Sequence, residues 1–290
     1  MNSNIYGTGV ALITPFNLDF SVDFIALEKL IDYVIKGGVD FIVILGTTAE
    51  SPSLTLIEKQ DIINLTIKVT KNRIPIVVGI GGSNTLNVEN EFKTLDLNGI
   101  EAILSVTPYY NKPSQLGLYK HFKRLSEVSL LPIILYNVPS RTGVNLDAST
   151  CLKLAKDFSN IIAVKEASGN ISQISEIIQN MPSSFSVLSG DDELTLNLIL
   201  EGANGVISVI GQSHPKEFST MVTFALNNQK LKAMQIHENL EKFYHILYSE
   251  GNPSGIKAVL SHLGLCNDIL RLPLTSISNK LNNSLKSILK

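Results

Sequence analysis

The chain has 290 residues, 44% of them hydrophobic and 17% charged, with a formal net charge of -2. This is the composition of a globular protein with a large core, and it excludes a disordered segment. The lysines and arginines form no basic stripe, which argues against nucleic acid and anionic membranes as partners, and no apolar run approaches the ~18 residues of a membrane span.

In chain order, Val10 to Ile13 is the first of a series of short β-branched runs, and Phe24, Leu27, Leu30, Ile31 and Val34 follow at helical spacing until Gly37-Gly38. Phe41 to Leu45 predicts the next strand and Leu56 to Val69 the next helix; Ile76 to Ile80 and Leu86 to Leu97 repeat the pair, as do Ala102 to Val106 and Leu116 to Leu125. Four further runs are Ile133 to Tyr136, Ile161 to Val164, Phe185 to Leu188 and Gly205 to Val209. All are continuously apolar, as strands covered on both faces of a parallel sheet read. Pro75 and Pro132 stand at strand starts, where a missing N–H removes little from a ladder. Helical periodicity then continues from Pro215 to Leu263 and from Ile277 to Leu289.

Eight strands alternating with helices predict an α/β fold, a (β/α)8 TIM barrel with a C-terminal helical extension; a doubly wound open sheet is the competing arrangement. The expected division is a catalytic barrel over residues 1–225 and a C-terminal helical domain over 226–290. Cys151 and Cys266 are too few and too far apart for a disulfide framework or a metal cluster, and Met1 to Tyr6 carries no charged leader, so a cytoplasmic chain is expected.

Active groups of such a barrel gather where strands end. That rule selects Thr14, Gly46-Thr47-Thr48, Gly81-Gly82, Thr107 to Tyr110, Tyr136-Asn137, Lys165-Glu166, Gly190-Asp191-Asp192 and Ser208. Lys165 closes the run Ile161-Ile162-Ala163-Val164, where a strand is expected to stop and a loop to begin. Apolar walls disfavour the charged form of a lysine and free its lone pair, which suits imine chemistry; an ordinary strand-end lysine is the bland alternative. Tyr136 ends the preceding strand, about 4.8 Å away, and is a candidate proton shuttle.

Several motifs occur together: Gly46-Thr47-Thr48-Ala49-Glu50-Ser51, Pro108-Tyr109-Tyr110-Asn111-Lys112-Pro113, Tyr136-Asn137-Val138-Pro139-Ser140-Arg141-Thr142-Gly143 and Val164-Lys165-Glu166-Ala167-Ser168-Gly169. With Gly9 to Phe16, Gly205 to Ser208 and Glu250-Gly251-Asn252-Pro253, they resemble the dihydrodipicolinate synthase family, within the pyruvate-dependent class I aldolases related to N-acetylneuraminate lyase.

The resemblance implies a synthase that joins pyruvate, held as a Schiff base on Lys165, to L-aspartate 4-semialdehyde on the route to diaminopimelate and lysine. Tyr136 moves protons, Thr48 and Tyr110 relay them, and Tyr110 comes from a neighbouring subunit of a homotetramer. Thr47 holds the pyruvate carboxylate, Arg141 forks onto the semialdehyde carboxylate, and the Ile207 carbonyl lies near the imine. No cofactor and no metal are implied. Arg141 and the Thr47-Thr48 pair favour the synthase over an aldolase acting on a keto-sugar acid; a non-catalytic keto-acid-binding barrel has no need of Lys165 with Tyr136. Ala49 stands where familiar synthases have glycine, a small change that disfavours φ > 0 only at modest cost and is expected to leave the chemistry intact.

In lysine-inhibited relatives the inhibitor is held by groups aligning with Ser51, Asn84 and Tyr109, all present here. Leu56 and Val88 replace a histidine and a glutamate of that site, and Glu89, about 100° further around its helix, faces elsewhere. Weak or absent inhibition by lysine is therefore expected. Gly79 to Asn84 lacks the last glycine of a dinucleotide fingerprint, with Asn84 instead reading as a helix cap, and His237 to Glu241 lacks the second histidine of a zinc-protease helix. Asp191-Asp192-Glu193 is expected to serve a helix N-terminus, and His121, His214, His245 and His262 to be surface or core residues.

Overall fold

The computed structural model describes residues 5–289. The reading of Met1 to Tyr6 as free of a leader concerns, in its first four residues, positions outside these. Each predicted strand run pairs with the next, and the last pairs with the first. β1 (Gly7–Ala11), β2 (Phe41–Ile44), β3 (Ile76–Gly79), β4 (Ala102–Val106), β5 (Ile133–Asn137), β6 (Ile161–Glu166), β7 (Ser186–Ser189) and β8 (Gly205–Ser208) form a closed parallel barrel in chain order. The open-sheet alternative is thereby excluded.

Around it lie α1 (Phe24–Lys36), α2 (Leu56–Thr70), α3 (Thr85–Thr94), α4 (Gln115–Val128), α5 (Pro139–Thr142), α6 (Ala148–Asp157), α7 (Ile171–Asn180), α8 (Thr195–Glu201) and α9 (Pro215–Leu226). Three more helices follow: α10 (Lys230–Tyr248), α11 (Ser254–His262) and α12 (Asn279–Ile288). Strand alternation sorts the side chains into two cores. In β2, Phe41 and Val43 join the cluster filling the barrel, with Leu104, Ile134, Leu188 and Ile207, whereas Ile42 and Ile44 face the larger cluster beneath the helices. A strand whose two faces are both covered has no reason to alternate in polarity, which is why these runs read as continuously apolar.

Boundaries shift where a polar partner intervenes. β1 begins at Gly7 and ends at Ala11, because the Ile13 N–H donates to Gln212 Oε1 at 2.8 Å instead of continuing the ladder. β6 extends through Lys165 and Glu166, and β5 through Asn137: the lysine lies inside the strand, not at the start of a loop. α3 stops at Thr94, since Leu95 turns extended with ψ 136°. α9 packs against β1 and completes the eighth βα unit, while α10 packs on α8 and α9.

Closure between β1 and β8 depends on Gly205. It has φ +153°, and a Cβ there would stand 2.1 Å from the Gly7 carbonyl oxygen. Gly205→Ala is expected to destabilise the barrel by about 2 kcal/mol or more through backbone overlap. Thermal unfolding by circular dichroism checks this, and an unchanged Tm would contradict it.

Candidate active site

The parallel pairing of β5 with β6 sets Tyr136 directly beside Lys165 and Asn137 beside Glu166. Alternation then sends the two pairs to opposite faces. Tyr136 and Lys165 are both buried at the barrel's C-terminal mouth, with Lys165 Nζ 4.4 Å from the centroid of the Tyr136 ring. On the other face, Asn137 Nδ2 donates to both Glu166 oxygens at 3.1 Å, and Glu166 also accepts from the Ser168 N–H at 2.8 Å and from Gln173 Nε2 at 3.0 Å. Burial raises the Glu166 carboxyl above its ordinary range, and these donors oppose that rise. Asn137 Oδ1 also accepts the Leu146 N–H at 2.9 Å, so the outer pair anchors the loop that follows α5.

A cleft of about 400 Å³ opens over Lys165 and Tyr136. Thr47, Thr48 and Arg141 line it together with them. Thr47–Ala49 forms a single 3-10 turn after β2, and the Thr48 hydroxyl accepts from Asn252 Nδ2 at 2.9 Å. Arg141, exposed on the short α5, reaches back so that Nη2 donates to the Asn252 carbonyl at 3.3 Å. The Ile207 side chain belongs to the barrel interior, and its backbone pairs with Gly9.

Tyr110 is not brought to Thr48 within this chain. It is 88% exposed, in a loop where Tyr110 (φ 72°) and Lys112 (φ 48°) both adopt left-handed backbone and turn the segment outward. Tyr109 beside it is 38% exposed. Ser51 opens a second 3-10 turn, and Asn84 caps α3 by accepting from the Leu86 and Asn87 N–H groups. Leu56 is exposed and Val88 buried, while Glu89 turns toward α4, where Arg124 grips it with two hydrogen bonds of 2.8 Å.

Ala49 needs no positive φ; the left-handed residue of this motif is its neighbour Glu50, with φ 54°. Such a conformation costs a non-glycine residue about 1–3 kcal/mol and persists only where the surroundings over-determine it. Here the Glu50 carboxylate is buried with Lys257 Nζ at 2.5 Å and accepts the Arg271 N–H at 3.0 Å. Lys257 also donates to the Ile269 carbonyl at 2.8 Å, and its Nζ and the Arg271 guanidinium both lie over the Phe16 ring, at 4.2 Å and 4.5 Å. Sequence reasoning gave Glu50 and Lys257 no role, because neither hydropathy nor spacing relates residues so far apart.

The cleft's outer wall was missed as well: Tyr244, His245, Tyr248, Ser249 and Asn252 come from α10 and the segment after it. Periodicity reads α10 only as an amphipathic helix, and of these residues Asn252 alone belongs to a family motif. The acidic triplet departs from its expected role in one member. Asp191 accepts the Glu193 and Leu194 N–H groups just before α8, but Asp192 is buried and accepts the Val209 and Ile210 N–H groups and the Tyr248 hydroxyl, tying the β8 loop to α10. Burial raises its carboxyl above the ordinary range. His245 lies at the cleft rim, 3.6 Å from Glu193. His121 is buried against Thr85, and burial lowers it to about 4, so it is a neutral core residue at pH 7.

A barrel carrying a buried lysine on a strand at its C-terminal mouth, over a tyrosine of the adjacent strand, has the architecture of the Schiff-base, class I aldolases. Among them, the chain belongs to the dihydrodipicolinate synthetase family, whose profile matches residues 4–290. The 4-hydroxy-tetrahydrodipicolinate synthase of Azobacteroides pseudotrichonymphae is 54% identical over 93% of this chain and 92% of its own length. Crystallographic relatives agree: dihydrodipicolinate synthase from Aquifex aeolicus superposes with TM-score 0.95 at 41% identity, covering 98% of this chain and 97% of that one. A monomeric dihydrodipicolinate synthase variant superposes with TM-score 0.96 at 36% identity, covering 99% and 96%. Enzymes of this family act through a covalent Schiff base of pyruvate on lysine, without an external cofactor.

Arg271 beside Glu58 holds that carboxyl well below its ordinary 4.5, at about 2. A depressed carboxylate contributes stability that is present above pH 4.5 and lost as pH falls toward 2. Across that window the Tm of Glu58→Gln is expected to fall less steeply than that of the unaltered protein; parallel profiles in calorimetry would contradict the assignment.

Proposed function

We infer that this chain is a lyase-type synthase that condenses pyruvate with L-aspartate 4-semialdehyde, the reaction of 4-hydroxy-tetrahydrodipicolinate synthase in diaminopimelate and lysine biosynthesis. The observation that carries the reading is the buried Tyr136–Lys165 pair at the floor of a cleft whose rim holds Arg141. The Lys165 amine attacks the pyruvate ketone and water leaves, giving an iminium whose nitrogen draws electrons and acidifies the methyl group. Loss of that proton yields an enamine, and its carbon bonds to the aldehyde carbon of the second substrate. The substrate's own amine then attacks the imine carbon, closes the ring and frees Lys165.

Tyr136 carries the protons of these steps. A lone phenol is a weak base at neutral pH, so it works through Thr48 and the Tyr110 of a neighbouring copy. The exposure and outward turn of Tyr110 support that origin. Thr47 and the adjacent backbone N–H groups hold the pyruvate carboxylate, the Ile207 carbonyl lies near the imine, and Arg141 holds the semialdehyde carboxylate through a planar fork that lysine cannot reproduce. The assembly is a homotetramer in the cytoplasm, each catalytic barrel of residues 1–225 followed by a helical domain of 226–290. Arg141 at the cleft and the Thr47-Thr48 turn disfavour a keto-sugar acid as substrate.

Borohydride reduction in the presence of pyruvate, followed by peptide mass analysis, is expected to label Lys165; an unlabelled Lys165 removes the reading. Tyr136→Phe is expected to lower kcat by about 10²-fold. Arg141→Ala is expected to raise KM for the semialdehyde about tenfold or more, with KM for pyruvate little changed.

Ser51, Asn84 and Tyr109 are the remnants of a lysine-binding site that Leu56 and Val88 have emptied of its polar partners. An ammonium there loses a counter-charge worth about 2–5 kcal/mol. Assays across lysine concentrations are expected to show little inhibition, and half-inhibition at sub-millimolar lysine would sink this account.

A further inference from the structure

Glu50 is the hinge between two 3-10 turns, Thr47–Ala49 and Ser51–Ser53, and it is left-handed at φ 54°. Together with Leu45, left-handed at φ 56° where the chain leaves β2, it brackets the turn that carries Thr47 and Thr48. Both of its carboxylate oxygens are engaged by the C-terminal segment: one by Lys257 Nζ at 2.5 Å, the other by the Arg271 N–H at 3.0 Å. The ion pair is sealed, with side-chain exposures of 0% for Lys257 and 1% for Glu50. The same segment supplies Asn252, whose Nδ2 donates to the Thr48 hydroxyl at 2.9 Å. One end of α11 thus grips the turn at two points, and neither group of the ion pair lines the cleft.

We propose that Glu50 and Lys257 are positioning residues: their buried ion pair holds the left-handed hinge that aims the Thr47-Thr48 turn at the pyruvate carboxylate and the proton relay. Two charges sealed from water are no better for stability than well-packed apolar groups, so stability alone does not account for the pair. A hinge that must stay in a disfavoured backbone region does account for it, because removing either charge frees the turn to relax. The inference rests on the roles given to Thr47 and Thr48 above.

The test compares Lys257→Met, which leaves a buried carboxylate without its partner, with Glu50→Gln/Lys257→Met, which buries no charge and keeps an acceptor for the Arg271 N–H. The single variant is expected to lose Tm, and the double variant to recover most of it. Measured well below its Tm, the double variant is nevertheless expected to show kcat/KM for pyruvate reduced by at least about tenfold, with KM for the semialdehyde within about twofold. Labelling of Lys165 by pyruvate and borohydride is expected to slow in parallel. A folded double variant that labels and turns over at the unaltered rate would overturn the proposal while leaving the Schiff-base reading intact. If the unaltered protein itself fails to label, the Schiff-base reading falls, and the proposal with it. Should the double variant not fold, Glu50→Gln is the second variant: it keeps the shape of the side chain but strands the Lys257 ammonium, so it is measured at a temperature where it is folded, and an unaltered kcat/KM for pyruvate there would likewise overturn the proposal.

Discussion

The register between β5 and β6 is the constraint on which the rest of the site depends. Because Tyr136 opposes Lys165 and Asn137 opposes Glu166, one strand pairing builds the reactive face and its support together. The inner pair is held by the barrel's layered apolar core, and the outer pair by the hydrogen bonds between Asn137 and Glu166 and by others to Asn145 and Leu146 in the loop after α5, to Ser168, and to Gln173 at the start of α7. A slip of one residue would exchange the faces, sending the amine under the helices and the carboxylate into the mouth. The buried Glu166 guards against that slip: its donors lie only on the helical side, and without them its charge would be stranded in a low-dielectric layer.

The same principle recurs at the other walls of the cleft. Three of the loops around the mouth are fixed by a buried carboxylate that binds backbone or side-chain donors: Glu166 after β6, Asp192 between β7 and β8, and Glu50 after β2. A loop carries backbone groups that no ladder satisfies, and a carboxylate, acceptor-only and able to take several bonds, supplies what those N–H groups need. Asp192 and Glu50 are gripped in turn by the C-terminal segment, through Tyr248 and through Lys257 with Arg271. α10, α11 and their connecting loops therefore form a wall of the site itself. The 226–290 segment and the barrel share one functional surface, which a boundary drawn from helical periodicity does not convey.

What was legible in the sequence follows from this division. Hydropathy finds what the barrel demands of its strands, so all eight runs and the C-terminal face of Lys165, Tyr136 and Thr47-Thr48 could be placed. It fails where a charged residue continues a strand, as at Lys165 and Glu166, since polarity reads as a loop although the ladder persists. It also fails for Lys257, whose partner lies 207 residues earlier and whose burial depends on Glu50, Phe16 and Ile269 converging on it. Taken by itself, a lysine on an amphipathic helix reads as solvated. Glu50 and Asn252 stand within the family's motifs, but nothing in those motifs assigns them a role until the fold brings them to the turn.

Ala49 shows how such a local change is absorbed. A glycine at this position suggests a need for left-handed backbone, yet the strained residue is Glu50, and the Ala49 carbonyl is held by the Thr14 hydroxyl at 2.7 Å. The methyl group is buried without requiring a different backbone, so the substitution leaves the turn's shape to the hinge that follows it. The conformational demand of the Gly46 to Ser51 motif therefore resides in the residue whose side chain is best anchored. That is where strain can be sustained, because the hydrogen bonds and the charge that oppose relaxation act on the same residue that is strained.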